Sequence, residues 1–302
     1  MRKYTIKQFE KDFPNDDACL EWLKNHLHPD GIKCEKCSKV TPHHKIAKRR
    51  CYSCDYCGTH TYPTANTIFH KSSTSLRLWF YAVYLMSSTR CGISAKHLER
   101  ELRVTYKTAW RMFHQIRKLL KEDVGTLTGE VEMDETYVGG KRQGKRGRGA
   151  AGKTIVAGAV ERKGRIKAII VDNVKAETLL PILKEYVLPG SMIYTDELPS
   201  YNKVAKSGYS HERVHHAQKV YVLGNTHTNS IENFWGQFKR SLDGTHHASA
   251  KYLQRYLDEF MFRYNHRKDE EHIFTTWLAR VCQGIDQIGH PLFGGKPSLN
   301  QI

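Results

Sequence analysis

Three acidic residues in the second half of the chain stand where carboxylates can bind metal ions. Asp134 lies inside the segment VEMDETYVGG, Asp196 lies at the end of MIYTDE, and Glu232 lies in the first turns of NSIENFWGQFKR. A carboxylate flanked by apolar residues in a strand is costly to bury unless it is paired or holds a cation. Hard cations such as Mg²⁺ and Mn²⁺ prefer oxygen ligands, and a pair of them can activate water for attack on a phosphate ester. The three acids therefore predict a site for two divalent cations.

Other acids lie next to these candidates in the chain. Strand alternation puts Glu132 and Asp134 on one face of their strand and Glu135 on the other face. We therefore expect the carboxylate of Glu135 to point away from the metal site, and we expect the same of Glu197 beside Asp196.

A second candidate metal site lies near the N-terminus, in a cysteine-rich segment. Cys34 and Cys37 form one C-x-x-C pair, and Cys54 and Cys57 form another after sixteen intervening residues. Zn²⁺ takes four soft ligands in a tetrahedron, and two such pairs joined by a hairpin supply them. A segment this small buries little apolar surface, so the metal would contribute much of its folding free energy.

The choice of the fourth cysteine leaves an alternative open. Cys51 also makes a C-x-x-C pair with Cys54, which would leave Cys57 spare. We favour Cys54 and Cys57 because Gly58 follows them, as expected where the chain turns tightly. Three histidines nearby are further competitors for the metal: His43, His44 and His60.

The segment GISAKHLERELRVTYKTAWRMFHQIRKLL has the pattern of a helix-turn-helix. Ser94 can cap the first helix and Thr105 the second, with Arg103–Val104 at the turn. Helical periodicity predicts a packed face made of Ala109, Met112, Phe113, Ile116 and Leu120. The opposite face is predicted to carry Tyr106, Lys107, Arg111 and His114. Donors on such a face, above all Lys107 and Arg111, are suited to the DNA major groove.

The elements that must position the three acids follow from residue 125 onwards. TGEVEMDETYVGG, KTIVAGAVER, GRIKAIIVDN and GSMIYTDE each predict a strand, and AETLLPILKEYV predicts a helix between the last two. Two long amphipathic helices are predicted in HTNSIENFWGQFKRSL and SAKYLQRYLDEFMFRYNH. Between the first two strands, residues 139–153 hold six basic residues and six glycines. This composition predicts an extended loop, either a solvated hairpin tip or an arm that contacts phosphates.

The composition restricts the class of partner. The chain has 302 residues, a formal charge of +17 and 39% hydrophobic residues, so it can build cores and favours a polyanion such as DNA. Its longest strongly apolar stretch, Leu78–Met86, is far shorter than the ~20 residues that span a membrane. The N-terminus lacks an apolar signal core, so we expect a cytoplasmic location with reduced cysteines.

Several motifs together resemble a known family. Thirty-five residues separate Asp196 from Glu232, as in the D,D-35-E signature of DDE transposases and retroviral integrases. The chain is most similar to the ISXO-like, zinc-ribbon branch of insertion-sequence transposases, which is related to Merlin elements. The resemblance rests on YSCDYCG, NTIFH, VTYKTAW, EMDETYVGGK, YTDELPSY and HTNSIENFWGQFKR.

This resemblance implies an α/β, RNase H-like catalytic core, preceded by a zinc ribbon and a helix-turn-helix. It implies that Asp134, Asp196 and Glu232 bind Mg²⁺ or Mn²⁺, and that Lys239, two helical turns after Glu232, assists catalysis. The implied activity is cutting of DNA at the ends of an insertion sequence and joining of the 3′ ends to target DNA, by a homo-oligomer in a synaptic complex.

The corresponding domains are residues 1–70, with an N-terminal helix and the ribbon, 71–124, with the helix-turn-helix, and 125–302, with the catalytic core. Two alternatives remain open: an RNase H-like DNA nuclease that does not join strands, and a DNA-binding regulator whose core is inactive.

Overall fold

The computed structural model describes residues 4–139, 152–214, 227–246, 248–269 and 272–282. The chain forms two compact units, one made of residues 1–120 and 269–302 and the other of residues 121–268. Most of the basic loop predicted at residues 139–153 lies outside the described residues. None of the helices in the described segments is long and apolar enough to cross a membrane.

The first unit begins with two short helices and a small antiparallel sheet. The sheet has the order β1-β2-β3, and its turns carry the paired cysteines. The elements are α1 (Ile6–Asp12), α2 (Asp16–Leu27), β1 (His43–Lys45), β2 (Tyr52–Cys54) and β3 (His60–Thr61).

A helical region completes this unit and contains the predicted helix-turn-helix. Ser94 Oγ accepts from the N–H of His97 at 3.1 Å, and Thr105 Oγ1 accepts from the N–H of Thr108 at 3.3 Å, so both predicted caps are confirmed. Arg103 ends the first helix of the pair in the left-handed region, at φ 51°. The helices are α3 (Leu76–Ser88), α4 (Ala95–Leu102), α5 (Tyr106–Leu119) and α9 (Ile273–Cys282).

The C-terminal helix α9 packs within this first unit, where Phe274, Trp277 and Leu278 are buried. The Nε of Arg280 donates to the carbonyl of Leu119, at the end of α5. The described part of residues 269–302 is therefore built into the helical region and not into the sheet of the second unit. The division into residues 1–70, 71–124 and 125–302 stays a prediction.

The second unit is built on a five-stranded sheet of order β6-β5-β4-β7-β8. β4 pairs in parallel with β7, and β7 pairs in parallel with β8, whereas β5 runs antiparallel to both β4 and β6. This order, with only the second strand reversed, is that of an RNase H-like core, so the predicted fold class is confirmed. The strands are β4 (Glu130–Val138), β5 (Thr154–Glu161), β6 (Ile166–Val171), β7 (Met192–Thr195) and β8 (Ser210–Arg213).

Helices cover both faces of this sheet. The α-helices in the described part of the unit are α6 (Ala176–Tyr186), α7 (Asn229–Ser241) and α8 (Leu253–Asn265). Val131, Met133 and Ile193 form a core with the buried side of α6. Residues 132 and 134 of β4 alternate to the opposite face, where α7 packs on β4 and β5.

The contact between α7 and the sheet is closest at Gly158 of β5. A Cβ atom at this position would lie 2.9 Å from Cη2 of Trp235 and 3.1 Å from Cβ of Ala168. Because Gly158 is the strand partner of Asp134, the indole of Trp235 reaches the sheet beside the first acidic residue. The absence of a side chain at Gly158 therefore sets how closely α7 approaches β4.

We predict opposite effects for two glycine-to-alanine substitutions, one at Gly158 in this contact and one at Gly236 on α7. Gly158→Ala should destabilise the fold by about 1–3 kcal/mol, because the new methyl group overlaps the indole ring. Gly236→Ala should stabilise α7 by about 0.5–1 kcal/mol, since its Cβ would meet only Nη1 of Arg240, at 3.6 Å. Chemical denaturation of both variants measures the two effects. Unchanged stability for Gly158→Ala would contradict this account of the contact.

Candidate active site

The acidic site lies where β4 and β7 run side by side. The parallel register pairs Glu132 with Tyr194, and two residues further along each chain stand Asp134 and Asp196. Asp134 lies within β4 and Asp196 directly follows the end of β7, so both carboxylates lie at the same level of the sheet. Carboxylate oxygens of Asp134, Asp196 and Glu135 all lie within 4.8 Å of one another. Three oxygens at this spacing can bind one cation at the 2.0–2.6 Å that hard divalent ions require.

The electrostatics of the cluster favour a bound cation. Burial raises the pKa of Asp134 to about 8, and the negative charges of Glu135, Asp196 and Glu232 act in the same direction. Asp134 is thus the residue on which the repulsion within the cluster is concentrated. A divalent cation would remove the repulsion that raises this pKa.

The position of Glu135 corrects the expectation drawn from strand alternation. Its side chain leaves β4 on the α6 side of the sheet, where the buried hydroxyl of Tyr201 donates to Oε2 of Glu135 at 3.1 Å. Its carboxylate nevertheless joins those of Asp134 and Asp196. The reason is that β7 ends at Thr195. Beyond that residue no neighbouring strand on this side of β4 separates the two faces of the sheet. Alternation predicts where a side chain leaves the backbone, but not where a long side chain ends at a strand terminus.

The loop after β7 holds the second acid in place. The N–H of Leu198 donates to Oδ1 of Asp196 at 2.9 Å, which closes a short turn. The buried hydroxyl of Thr195 donates to the carbonyl of Asp196 and lies 2.9 Å from Nε2 of His211 on β8. Asp196 is therefore fixed through its side chain and through its backbone.

The third predicted acid, Glu232, lies in the first turn of α7 and is exposed. Its Oε1 accepts from the hydroxyl of Thr228 at 2.8 Å. It is not part of the 4.8 Å cluster, but its charge contributes to the raised pKa of Asp134, so the two groups interact. The structure thus brings Asp134 and Asp196 together and places Glu232 beside them on the same face.

Lys239 lies two turns further along α7 and is half-buried. Burial lowers the pKa of its ammonium group, while the charge of Asp134 opposes that shift and the charge of Lys153 adds to it. Lys239 therefore interacts with Asp134, and its role in catalysis stays a prediction. Lys153, at the start of β5, is a second cation in range that the sequence reasoning did not single out.

The four predicted cysteines form a separate cluster in the first unit. The Sγ atoms of Cys34 and Cys57 are 3.5 Å apart, and those of Cys37 and Cys54 are 3.9 Å apart. Four thiolates around one Zn²⁺ at 2.3 Å would be separated by about 3.8 Å, which is close to both of these distances. All four sulfurs lie within 4.8 Å of one another, so they fit one such ion. Cys51 is buried and lies outside this cluster.

The two cysteine turns have the same backbone geometry. The N–H of Ser38 donates to the carbonyl of Cys34, and the N–H of Gly58 donates to that of Cys54, both at 2.8 Å. Ser38 and Gly58 have φ values of 57° and 70°, so each turn needs a left-handed residue at the same place. This agrees with the reasoning that Gly58 marks a cysteine turn.

Hydrogen bonding prepares two of these thiols to bind a cation. The Thr41 hydroxyl and nearby backbone N–H groups lower the pKa of Cys54 to about 6. Thr59 likewise lowers the pKa of Cys57. Since the thiolate is the form that binds metals, both groups are suited to that role near neutral pH.

Comparison with known proteins finds a matching family model and related proteins. The ISXO2-like transposase domain matches residues 126–265. An uncharacterised transposase-like protein of Haemophilus influenzae is 33% identical over 122 residues, which cover 97% of that protein and 40% of this chain. An uncharacterised protein in transposable element ISH50 of Halobacterium salinarum is 27% identical over 272 residues, covering 84% of this chain and 92% of that protein. The chain belongs to the ISXO2-like transposase family.

Two solved structures show a weaker likeness. The catalytic core domain of BIV integrase has a TM-score of 0.30 and 15% identity, covering 50% of this transposase and 94% of that chain. The Mos1 transposase paired-end complex has a TM-score of 0.29 and 10% identity, covering 62% of this chain and 70% of that chain. The RNase H-like fold assigned above rests on strand order and direction and not on these scores.

The helix-turn-helix of this transposase differs in one respect from its predicted faces. The predicted packed residues of α5 are buried, and Tyr106, Lys107 and Arg111 are exposed. His114 is only 4% exposed and its ring lies 4.2 Å from that of Trp110, so its assignment to the outer face was wrong. Its ring instead packs beside those of Trp110 and Phe113.

We predict that Asp134→Asn stabilises the transposase without added divalent cation, in a pH-dependent way. The pKa of this carboxyl group is about 8 in the folded protein against an ordinary value of 3.8. As pH rises above 4, the unfolded chain loses this proton before the folded protein does, so wild-type stability falls until about pH 8. Asparagine avoids that loss.

The Tm difference should be near zero at pH 4 and about 2–4 °C or more at pH 8, measured by calorimetry. Glu197→Gln, at an exposed position beside Asp196, is the control and should show no such trend. Equal Tm values for wild type and Asp134→Asn at pH 8 would refute the raised pKa.

Proposed function

We propose that this transposase binds the ends of an insertion sequence, cuts DNA strands there and joins the 3′ ends to target DNA by two-metal-ion phosphoryl transfer. The observation that carries this proposal is the pair of in-register carboxylates, Asp134 and Asp196, with Glu232 and Lys239 on the helix that packs over the same face. Carboxylates that lie close together repel one another and a polyanionic DNA strand unless cations join them. A cluster of acids in a chain of charge +17 therefore supports a metal-dependent reaction on DNA.

The residues that would hold the cations are Asp134, Asp196 and Glu232, with Glu135 as an additional oxygen donor. Their carboxylate oxygens fit the preference of Mg²⁺ or Mn²⁺. Bound there, two such cations would activate the attacking water or 3′ hydroxyl and neutralise charge on the phosphate. The side chain of Glu232 is bonded to Thr228 and is exposed, so it can turn toward the cluster without leaving a buried pocket.

Lys239 would hold a phosphate oxygen of the scissile strand. Its ammonium group interacts with Asp134 and lies within electrostatic range of Lys153. The ammonium groups of Lys239 and Lys153, beside the acidic cluster, would attract a DNA backbone and position it next to the carboxylates. The chain contributes positioning and charge neutralisation, with no covalent intermediate.

The cysteine cluster and the helix-turn-helix would supply DNA binding. We assign Zn²⁺ to Cys34, Cys37, Cys54 and Cys57, because four cysteine sulfurs within 4.8 Å of one another are the usual site for that ion. On α5, Lys107 is exposed and available for DNA contacts. Arg111 donates to Thr74 Oγ1 at 3.3 Å and lies over the ring of Trp79, so DNA contact would require it to exchange these partners. Pairing of two element ends would require a homo-oligomer.

A DNA nuclease that does not join strands is the competing function for the same acidic cluster. The two activities differ only in the nucleophile, which is water for cutting and a 3′ hydroxyl for joining. An assay with element-end DNA and a separate target duplex distinguishes them, because only a transposase produces the joined species.

We predict that Asp134→Asn, Asp196→Asn and Glu232→Gln each lower cleavage and joining by at least about 100-fold. An amide keeps the shape of the side chain but loses the charge that binds a cation. Binding to element-end DNA should change little, since it rests on the first unit and the basic surface. Gel-based cleavage and strand-transfer assays in Mg²⁺ and Mn²⁺ measure both steps. Glu197→Gln serves as the control with full activity. Cleavage by all three acid variants would end the proposal.

We also predict one zinc ion per chain, lost in single Cys→Ser variants at positions 34, 37, 54 and 57. Cys51→Ser should keep the metal, because the Sγ of Cys51 lies outside the cluster. Elemental analysis of the purified variants gives the stoichiometry. Loss of zinc from Cys51→Ser together with its retention in Cys57→Ser would show that the ligand assignment is wrong.

A further inference from the structure

One buried carboxylate in the second unit takes no part in the chemistry described above. Glu132 lies on β4, two residues before Asp134, and is 0% exposed. A buried carboxylate is stable only when its oxygens are fully paired. Its hydrogen-bond donors come from two separate parts of the chain: Arg162 Nε at 3.1 Å, Ser230 N at 2.8 Å, Ser230 Oγ at 3.1 Å and Ile231 N at 3.0 Å. The Nδ1 atom of His227 lies 3.2 Å from Oε1.

These contacts supply the N-terminal cap of α7. Thr228, the residue at the cap position, makes no side-chain capping bond, and its hydroxyl donates to Glu232 instead. Oε2 of Glu132 accepts from the N–H groups of Ser230 and Ile231, which a capping side chain would normally satisfy. The helix that carries Glu232 and Lys239 is thus capped by the strand that carries Asp134. The charge of the carboxylate also suits the positive end of the helix dipole.

Arg162 anchors the other side of this carboxylate. Its guanidinium lies 3.8 Å from the ring centroid of Tyr194, and its Nη2 donates to the carbonyl of His227 at 2.8 Å. The same side chain therefore holds Glu132 and the residue that leads into α7. The carboxylate and the guanidinium join β4, the end of β5 and the start of α7 into one network.

The network leaves Glu132 no capacity to bind a metal ion. Oε1 has three polar neighbours and Oε2 accepts two N–H groups, which fill the lone pairs of a carboxylate. Glu132 is thus distinct from Glu135, whose carboxylate lies within the acidic cluster.

We propose that Glu132 is a positioning residue that fixes Glu232 and Lys239 relative to Asp134. This inference rests on the proposed function. Glu132 and Asp134 leave the same face of β4 about 7 Å apart, and the amide that Glu132 holds at Ile231 immediately precedes Glu232. A single side chain therefore sets the offset between the first acid and the third. In metal sites, loss of a residue that orients a ligand typically costs 10–100-fold in affinity or activity.

The test compares the Mn²⁺ dependence of cleavage in three variants. Glu132→Gln keeps the size of the side chain but offers one oxygen and turns an NH₂ group toward the donors. We expect its half-maximal Mn²⁺ concentration to rise about 10–100-fold, with a smaller loss of rate at saturating Mn²⁺. Ser230→Ala removes one hydroxyl donor and leaves the other three hydrogen bonds to Glu132 in place, so it should shift the half-maximal concentration in the same direction by a smaller factor.

Glu130→Gln is the matched control. Glu130 lies on the same strand, its Oε2 is 3.7 Å from Nη1 of Arg162, and its Oε1 accepts from the hydroxyl of Tyr194. It loses the same charge beside the same guanidinium but does not cap α7. Its half-maximal Mn²⁺ concentration should match that of wild type.

Two measurements without DNA separate this inference from the proposed function. Hydrogen exchange should show faster exchange of residues 229–235 in Glu132→Gln than in wild type and Glu130→Gln, and calorimetric titration should show weaker Mn²⁺ binding. If wild type binds Mn²⁺ but does not cleave DNA, the proposed function fails while these two measurements still test the positioning role. A variant Glu132→Gln with lower Tm but with wild-type Mn²⁺ dependence and Mn²⁺ affinity would overturn the inference, as would unchanged values for folded Ser230→Ala.

Discussion

The parallel pairing of β4 with β7 determines where chemistry can occur in this transposase. Because the two strands run in the same direction and in register, Asp134 and Asp196 emerge side by side, although 61 residues separate them in the sequence. In an antiparallel pair, residues two positions beyond a paired couple lie on opposite sides of it, so the two acids would be apart. A register shift of one residue would send one of the acids to the other face of the sheet. The central position of β4 then allows α7 to pack over the same face. The hydrogen-bond register of two strands thus brings the two carboxylates of the acidic cluster together.

This arrangement carries an energetic cost that explains several other features. Burial of Asp134 and the charges of three nearby carboxylates raise its pKa, so its ionised form is unfavourable without cations. The surrounding structure must therefore be rigid enough to keep the acids together. The small residue at Gly158 lets α7 approach closely, and the buried pair of Glu132 and Arg162 fastens the beginning of that helix. The acids lower the stability of the fold, and the contacts at Gly158 and between Glu132 and Arg162 raise it.

Much of this organisation can be predicted from the sequence, because it depends on local patterns of residues. Hydrophobic period predicts the strands around Asp134 and Asp196, and the caps at Ser94 and Thr105 follow from residue type alone. The geometry that depends on contacts between distant segments cannot be predicted from the sequence in this way. The cap that Glu132 provides joins residues 98 and 99 positions apart, and no local pattern distinguishes it from a surface acid. The end of β7, which admits Glu135 to the cluster, is likewise set by tertiary pairing.

The outer edge of the sheet has a consequence for self-assembly. Along β6, the N–H groups of residues 166, 168 and 170 donate to Asn265 Oδ1, Met261 Sδ and Gln254 Oε1, all on one side of α8. A strand at the border of a sheet normally offers these groups to a strand from another molecule. Here a helix uses them up, so a second chain cannot extend the sheet through β6 unless α8 is displaced. This border of the core is therefore protected against indiscriminate β-sheet polymerisation.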